Sequence, residues 1–350
     1  MAGLDDKKTQ ERVAEEVSKL RNLLKNQPRI AIVGYTGAGK STLFNAVIGK
    51  PLAQSEVGGV KGTVRGLAQE HDGMVFVDCP GYGAANLKPP EVILKETQDP
   101  HLVILVINGG EAVRDQDVAL FKVLNDHVKT LVVLNKVDIL DPEELEESRQ
   151  EILDRLGVTA DRFVSVSAKL GDNVDNLVRS ITKLLPAGAR EGFLGRLQGR
   201  LDIKSEEALR IVNFYAGSGA ILGAIPVPGA DLVALYPLQI AMTLHVGQIY
   251  GHGDLPTRDA AALVIGSIGT SFAVRAIARK FIPYFGSVVG AAAAFSSIQA
   301  YGRTIVYWFE SGMQIPKESL REYFHSQYAQ AEKEARKMDL EEMKKGRDQS

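Results

Sequence analysis

The stretch "GYTGAGKST", residues 34–42, restricts the fold of this chain more than any other. It stands directly behind the apolar run "RIAIVG" and directly ahead of "KSTLFNAVIG". It fits the pattern GxxxxGK[ST] in the strand–loop–helix setting that gives the pattern physical meaning. Gly34, Gly37 and Gly39, with the small Ala38 among them, let backbone N–H groups curl around one anion, and the following helix aims its N-terminus at the same charge. Lys40 is placed to reach the β- and γ-phosphates of a nucleoside triphosphate, the Ser41 hydroxyl to ligate Mg²⁺, and Thr42 to join the nucleotide contacts. The bland alternative is a glycine-rich turn that binds nothing. The strand before it and the helix after it argue against that reading.

A strand that hands over to a helix in this way needs parallel neighbours, and the chain supplies them. Between residues 28 and 186 the β-branched runs "MVFVDCPG", "LVILVING", "TLVVLNKVD" and "RFVSVSA" alternate with the helical spacings of "QDVALFKVLNDH", "PEELEESRQEILDRLG" and "NVDNLVRSITKLLP". The fold class is therefore α/β, a parallel-rich sheet with flanking helices, followed by a mainly α-helical C-terminal domain. At 350 residues the chain is too long for one core. Its expected divisions are an N-terminal amphipathic helix within 1–27, striped by Val13, Val17, Leu20 and Leu24; a nucleotide domain at 28–186; a connector at 187–207; an apolar helical-hairpin domain at 208–310; and a charged C-terminal helix and tail at 311–350, striped by Leu320, Phe324, Tyr328, Ala331 and Ala335.

Three further motifs close strands of the first domain. In "DCPG" Asp78 is placed to hold Mg²⁺ and the Gly81 N–H to sense the γ-phosphate, at the sheet edge where open α/β folds bind ligands. Cys79 between them has no basic neighbour in sequence and reads as a small hydrophobe. In "NKVD" the Asp138 carboxylate matches the paired donors on the guanine edge, which adenine lacks, so it selects GTP over ATP. Asn135 braces the base and its loop, and the Lys136 stem covers the ring. In "SAK", Ser167, Ala168 and Lys169 present the Ala168 N–H to the guanine carbonyl. A lone NKxD or SAK says little; the ordered set, each member at a strand end, says much more.

With these motifs in this order, residues 28–186 resemble the translation-factor-like class of P-loop GTPases, in particular the Era, septin and immunity-related group. The resemblance implies a Ras-like fold, GTP and GDP as substrate and product, and Mg²⁺ as cofactor. It also implies a switch threonine, for which Thr63 in "VKGTVRG" is the candidate, as metal ligand and as a partner of Lys40 and Gly81 at the reacting phosphate. Two departures bear on rate. Tyr82 stands directly after DxxG, where Ras-like relatives carry a glutamine that orients water. Gly37 stands where potassium-activated relatives carry asparagine. Slow intrinsic hydrolysis is expected, accelerated by an unknown protein activator, by a homodimer formed through the nucleotide domains, or by a membrane-induced rearrangement.

The second half asks a different question. "IPVPG" at 225–229 and "IPYFG" at 282–286 sit within apolar helical sequence and suggest two helical hairpins, unless the repeated pattern is coincidence. Once these corners are removed, the first arms are short for a bilayer span, which needs about 20 apolar residues. Arg275, Arg279 and Lys280 suit phospholipid head groups or, equally, a solvated helix face. Residues 210–310 resemble the apolar domain of unknown function 697 found behind some bacterial Era-like GTPases, which implies membrane contact on the cytoplasmic side. A polar, acidic start carries no secretory signal, and Cys79 is the single cysteine, so a cytoplasmic setting is expected. Net charge is −2, and no GxxG unit with basic surroundings is visible, so the nucleic-acid signal is weak. The expectation is a GTP switch that couples nucleotide state to helical-domain rearrangement and membrane lipid. The alternative is a soluble Era-like factor that acts on RNA, on the ribosome or on a protein partner.

Overall fold

The chain divides into a sheet unit, Asn26–Arg200, and a helical unit that combines Met1–Lys25 with Leu201–Ser350. The computed structural model describes residues 7–24, 27–49, 69–71, 74–79, 99–224, 236–263 and 288–347. After α1 (Lys7–Leu24), the sheet unit runs β1 (Ile30–Tyr35), α2 (Lys40–Ile48), β2 (Gln69–His71), β3 (Met74–Cys79), β4 (Leu102–Asn108), α3 (Asp115–His127), β5 (Thr130–Asn135), α4 (Pro142–Leu156), β6 (Phe163–Val166), α5 (Val174–Leu184) and α6 (Ala189–Arg196).

The strands lie in the order β2-β3-β1-β4-β5-β6. Every described pairing is parallel except β2 with β3. β1 and β5 are buried along their whole length and β4 along all but its last residue, which is why they read as unbroken apolar runs rather than alternations. Val103, Leu105, Val132 and Leu134 share a core cluster with Leu120, Phe121 and Leu124 of α3 and Ile152 of α4. The edge strand β2 has no apolar pattern, only Gln-Glu-His, and was invisible in the sequence.

Helix ends follow local chemistry. Asp141 caps α4 by accepting from the N–H groups of Glu143 and Glu144 at 3.0 and 2.9 Å, while the Glu144 carboxylate accepts from the Asp141 N–H at 3.0 Å. Pro142 opens that helix and Gly157, in the left-handed region at φ 65°, ends it. The segment 187–207, expected as a connector, contains α6, whose Phe193 and Leu194 are fully buried. Beyond α6 the chain clasps the far end of α2. The Gln198 N–H donates to the Ile48 carbonyl at 2.8 Å, Arg200 Nη2 to the Ala46 carbonyl at 2.6 Å, and Arg200 also pairs with Asp175.

The helical unit contains α1, α7 (Leu201–Ala224), α8 (Tyr236–Ile249), α9 (Thr257–Leu263), α10 (Val288–Glu310) and α11 (Lys317–Arg347). α10 packs on α7, α8 and α11, and α1 packs on α8. Val17 and Leu20 of the first stripe, and Leu320, Phe324 and Ala331 of the last, are buried. Gly302 lets α10 approach α7 closely: a Cβ there would lie 2.5 Å from Val212 Cγ1. Both IPxxG corners and the cluster Arg275, Arg279 and Lys280 lie outside the described residues. Among the described residues no helix is long and apolar enough to cross a membrane.

This interior is not wholly apolar. Thr243 Oγ1 and the Tyr301 hydroxyl lie 2.7 Å apart, both fully buried, and burial pushes the Tyr301 hydroxyl well above its ordinary pKa. Thr243→Val removes the partner while keeping the shape, so it should cost the helical unit about 1–3 kcal/mol, and adding Tyr301→Phe should recover part of the loss. Urea unfolding followed through Trp308, the single tryptophan and a residue of α10, reads this directly. A double variant less stable than Thr243→Val alone would show the bond is not what matters.

Candidate nucleotide site

The parallel register brings the motif residues to one sheet edge. Gly34 lies beside Asp78 across β1 and β3, Asn108 beside Asn135 across β4 and β5, and Asn135 beside Val166, which directly precedes Ser167. Open α/β sheets place ligands at this carboxyl edge.

Gly37 and Gly39 both hold φ 87°, in the left-handed region where a side chain is strained, and Gly39 is the N-cap of α2. Gly39 is needed for a second reason. A Cβ there would lie 2.4 Å from Asn135 Nδ2. Lys40 is 8% exposed and folds back over its own loop, with Nζ donating to the carbonyls of Gly34 at 2.7 Å and Tyr35 at 2.9 Å. Ala38 is buried, Ser41 exposed and Thr42 half-buried. Asp78 is the penultimate residue of β3, which ends at Cys79; Thr63, Gly81 and Tyr82 lie outside the described residues.

The base motifs are fastened to this loop by one side chain. Asn135, 1% exposed, donates from Nδ2 to the Ala38 carbonyl at 2.9 Å, and its Oδ1 accepts from the Ala168 N–H at 3.1 Å. The amide expected to face guanine is thus held by Asn135 here. Ser167, fully buried, donates from Oγ to Asp138 Oδ1 at 2.6 Å and accepts from the Leu170 N–H at 3.2 Å. Asp138 and Lys169 are exposed. Lys136 adopts φ 66° and ψ 38°, turning the chain from β5 into the segment that carries Asp138.

Sequence reasoning passed over the side facing α3. Asn108, at the end of β4, accepts from the Gly110 N–H at 3.3 Å and donates to Glu111 at 2.8 Å, while the Gly109 N–H donates to the Asn135 carbonyl at 2.7 Å. A cavity lined by Tyr35, Thr36, Ala38, Asn108, Arg114 and Asp117 adjoins the phosphate loop. An asparagine at a strand end followed by two glycines was the sequence cue.

The donor chemistry fits Mg²⁺ with a nucleotide. A serine hydroxyl and a carboxylate are hard oxygen ligands, and Mg²⁺ takes one or two of these beside phosphate and water. Among the described residues no cluster of three or more His, Cys, Asp or Glu could hold a metal ion by itself.

Residues 29–136 match the family model described as "50S ribosome-binding GTPase". The chain is 26% identical over 303 residues to translation initiation factor IF-2 of Kosmotoga olearia, covering 78% of this chain and 41% of that protein. It is 28% identical over 167 residues to the GTPase Era of Halothermothrix orenii, covering 45% of this chain and 56% of that one. The chain thus spans about half the length of these curated relatives. A solved structure of Era in complex with MgGDPNP and a segment of 16S ribosomal RNA is similar at 24% identity and a TM-score of 0.35, covering 57% of this chain and 68% of that one. The family match over residues 29–136 and the sequence similarity to Era together show that the sheet unit carries a P-loop GTPase domain of the Era and translation-factor type.

Proposed function

We propose that the protein is a Mg²⁺-dependent guanine-nucleotide switch that binds GTP and hydrolyses it to GDP and phosphate. The observation that carries this reading is Asn135, whose two hydrogen bonds join the phosphate loop to the base loop. Gly34, Gly37, Ala38, Gly39, Lys40, Ser41 and Thr42 would take the phosphates, and Asn135, Lys136, Asp138, Ser167, Ala168 and Lys169 the base. Ser41, Thr63 and Asp78 would hold Mg²⁺, which supplies charge neutralisation at the β- and γ-phosphates. Lys40, Thr63 and the Gly81 N–H would meet the transferring phosphoryl group. Tyr82 offers no carboxamide to orient water, which supports slow turnover by the dilute protein. Competition against a fluorescent GDP analogue, with GTP, ATP and EDTA arms, tests the reading. Equal displacement by ATP and GTP, or indifference to EDTA, would overturn it.

The helical unit is the natural output of such a switch. Its resemblance to domain 697 supports contact with lipid at the membrane surface, with nucleotide state setting how strongly the helices engage. The family description at residues 29–136 supports a second reading, ribosome association. Flotation with anionic liposomes and sedimentation with 50S subunits, each with GDP and with a non-hydrolysable GTP analogue, separate the two. Nucleotide-dependent flotation supports the membrane reading, and nucleotide-dependent sedimentation with subunits replaces it.

A further inference from the structure

The sheet unit holds a cation that the nucleotide contacts above do not use. Arg114, the N-cap residue of α3, lays its guanidinium over the Tyr35 ring, with Cζ 5.1 Å from the centroid. Tyr35 is the residue after Gly34 in the phosphate loop, and its carbonyl receives the Lys40 ammonium at 2.9 Å and the Ala38 N–H at 3.1 Å. Thr36 and Ala38 of that loop line one cavity together with Asn108, Glu111, Arg114 and Asp117. The guanidinium therefore shares a concavity with the backbone that would wrap the phosphates.

Its attachments are unequal. The backbone is fixed, because the Arg114 N–H donates to Asp117 Oδ2 at 2.9 Å and Asp117 is 4% exposed. Burial pushes the Asp117 carboxyl up, opposed by that backbone hydrogen bond and by the Arg114 charge. The side chain is held only loosely. Its ion pair is with Glu111, both partners being more than two-fifths exposed, and Glu111 also accepts from Asn108. The neighbouring acid Asp115 is engaged by Arg155 at 2.6 Å. An exposed ion pair is worth about 1 kcal/mol or less, and a cation–π contact between an exposed guanidinium and the buried Tyr35 ring about 0.5–2 kcal/mol. A phosphoryl group offers a more highly charged, bidentate acceptor.

We propose that Arg114 is a catalytic arginine supplied in cis: once GTP is bound it leaves Glu111 and donates to the γ-phosphoryl oxygens as charge builds on them. This rests on the GTPase reading above. Water oxygen bonds to Pγ, the bond from Pγ to the β,γ-bridging oxygen breaks, and that oxygen keeps the electron pair as part of GDP. The water proton leaves with the phosphate, and Arg114 stays protonated throughout. The role answers the lack of glutamine at position 82, since charge stabilisation can replace part of what water orientation supplies. It also agrees with slow turnover: a cis arginine gives about 10⁻² s⁻¹, well below partner-stimulated rates of about 5–20 s⁻¹.

The test compares the full chain with its Arg114→Ala and Arg114→Lys variants. The capping bond uses backbone, and the lysine variant keeps the aliphatic stem should alanine disturb the fold. Single-turnover GTP hydrolysis is expected to fall about 100-fold or more in both, with GDP affinity changed less than about twofold. Trapping of GDP with aluminium fluoride should be lost, and added guanidinium ion should partly restore the alanine variant. Glu111→Gln, which frees the arginine, should hydrolyse faster than the parent. Arg114 variants that hydrolyse within about threefold of the parent and still trap aluminium fluoride would overturn the proposal while leaving the GTPase reading intact. Failure of the parent to bind GTP would overturn both.

Discussion

Asp138→Asn is expected to weaken GTP binding by roughly 100- to 10,000-fold and to raise affinity for xanthosine triphosphate. A carboxylate that accepts two hydrogen bonds from the guanine edge contributes about 1.5–3 kcal/mol for each, and an amide reverses the polarity of one of them. Xanthine presents a carbonyl where guanine has its amine, so the same amide suits it. Ser167 adds a local reason for the size of the effect. Its buried hydroxyl donates to Asp138 Oδ1 at 2.6 Å and fixes the orientation of the carboxylate before base arrives. Isothermal titration with GDP and xanthosine diphosphate gives both affinities on one variant. Unchanged GDP affinity would remove Asp138 from the base site.

Asn135→Ala should produce a different signature. It deletes the bond to the Ala38 carbonyl and the bond from the Ala168 N–H, on two residues that are each 2% exposed. Each orphaned group costs about 1–3 kcal/mol, so GDP and GTP affinity should fall together by roughly 30- to 20,000-fold with no change in base preference. Gly39→Ala should resemble it, because its Cβ would sit 2.4 Å from Asn135 Nδ2 in a backbone region that already disfavours alanine. Since the two changes break one contact, combining them should cost much less than their sum. Full additivity would mean that Gly39 matters for backbone conformation alone.

What the sequence disclosed and what it hid have a common physical cause. The phosphate loop, NKVD and SAK were legible because each is a short segment at the end of a buried parallel strand, where local chemistry and position agree. β2 was hidden because an edge strand of three polar residues has no period to read. α6 was hidden because small and charged residues surround Phe193 and Leu194, and only tertiary burial gives those two their meaning. The N-terminal stripe was visible, yet its partner was not: Val17 and Leu20 join the helical unit, through α1 and α8, across more than two hundred residues of intervening chain. Arg114 went unnoticed for a related reason, since nothing near it in sequence announces that Tyr35 lies beneath it.

The clasp on the far end of α2 gives the nucleotide site a reach beyond its own contacts. α2 has nine residues and so is about 13 Å long, with the phosphate loop at its head. At its tail the carbonyls of Ala46 and Ile48 are gripped by Arg200 and Gln198, the last residues before the chain enters α7. A helix that is free at one end can absorb a tug by fraying. This one is fastened at its tail within the sheet unit, so a change at the phosphate loop meets a helix whose last turn is kept from fraying.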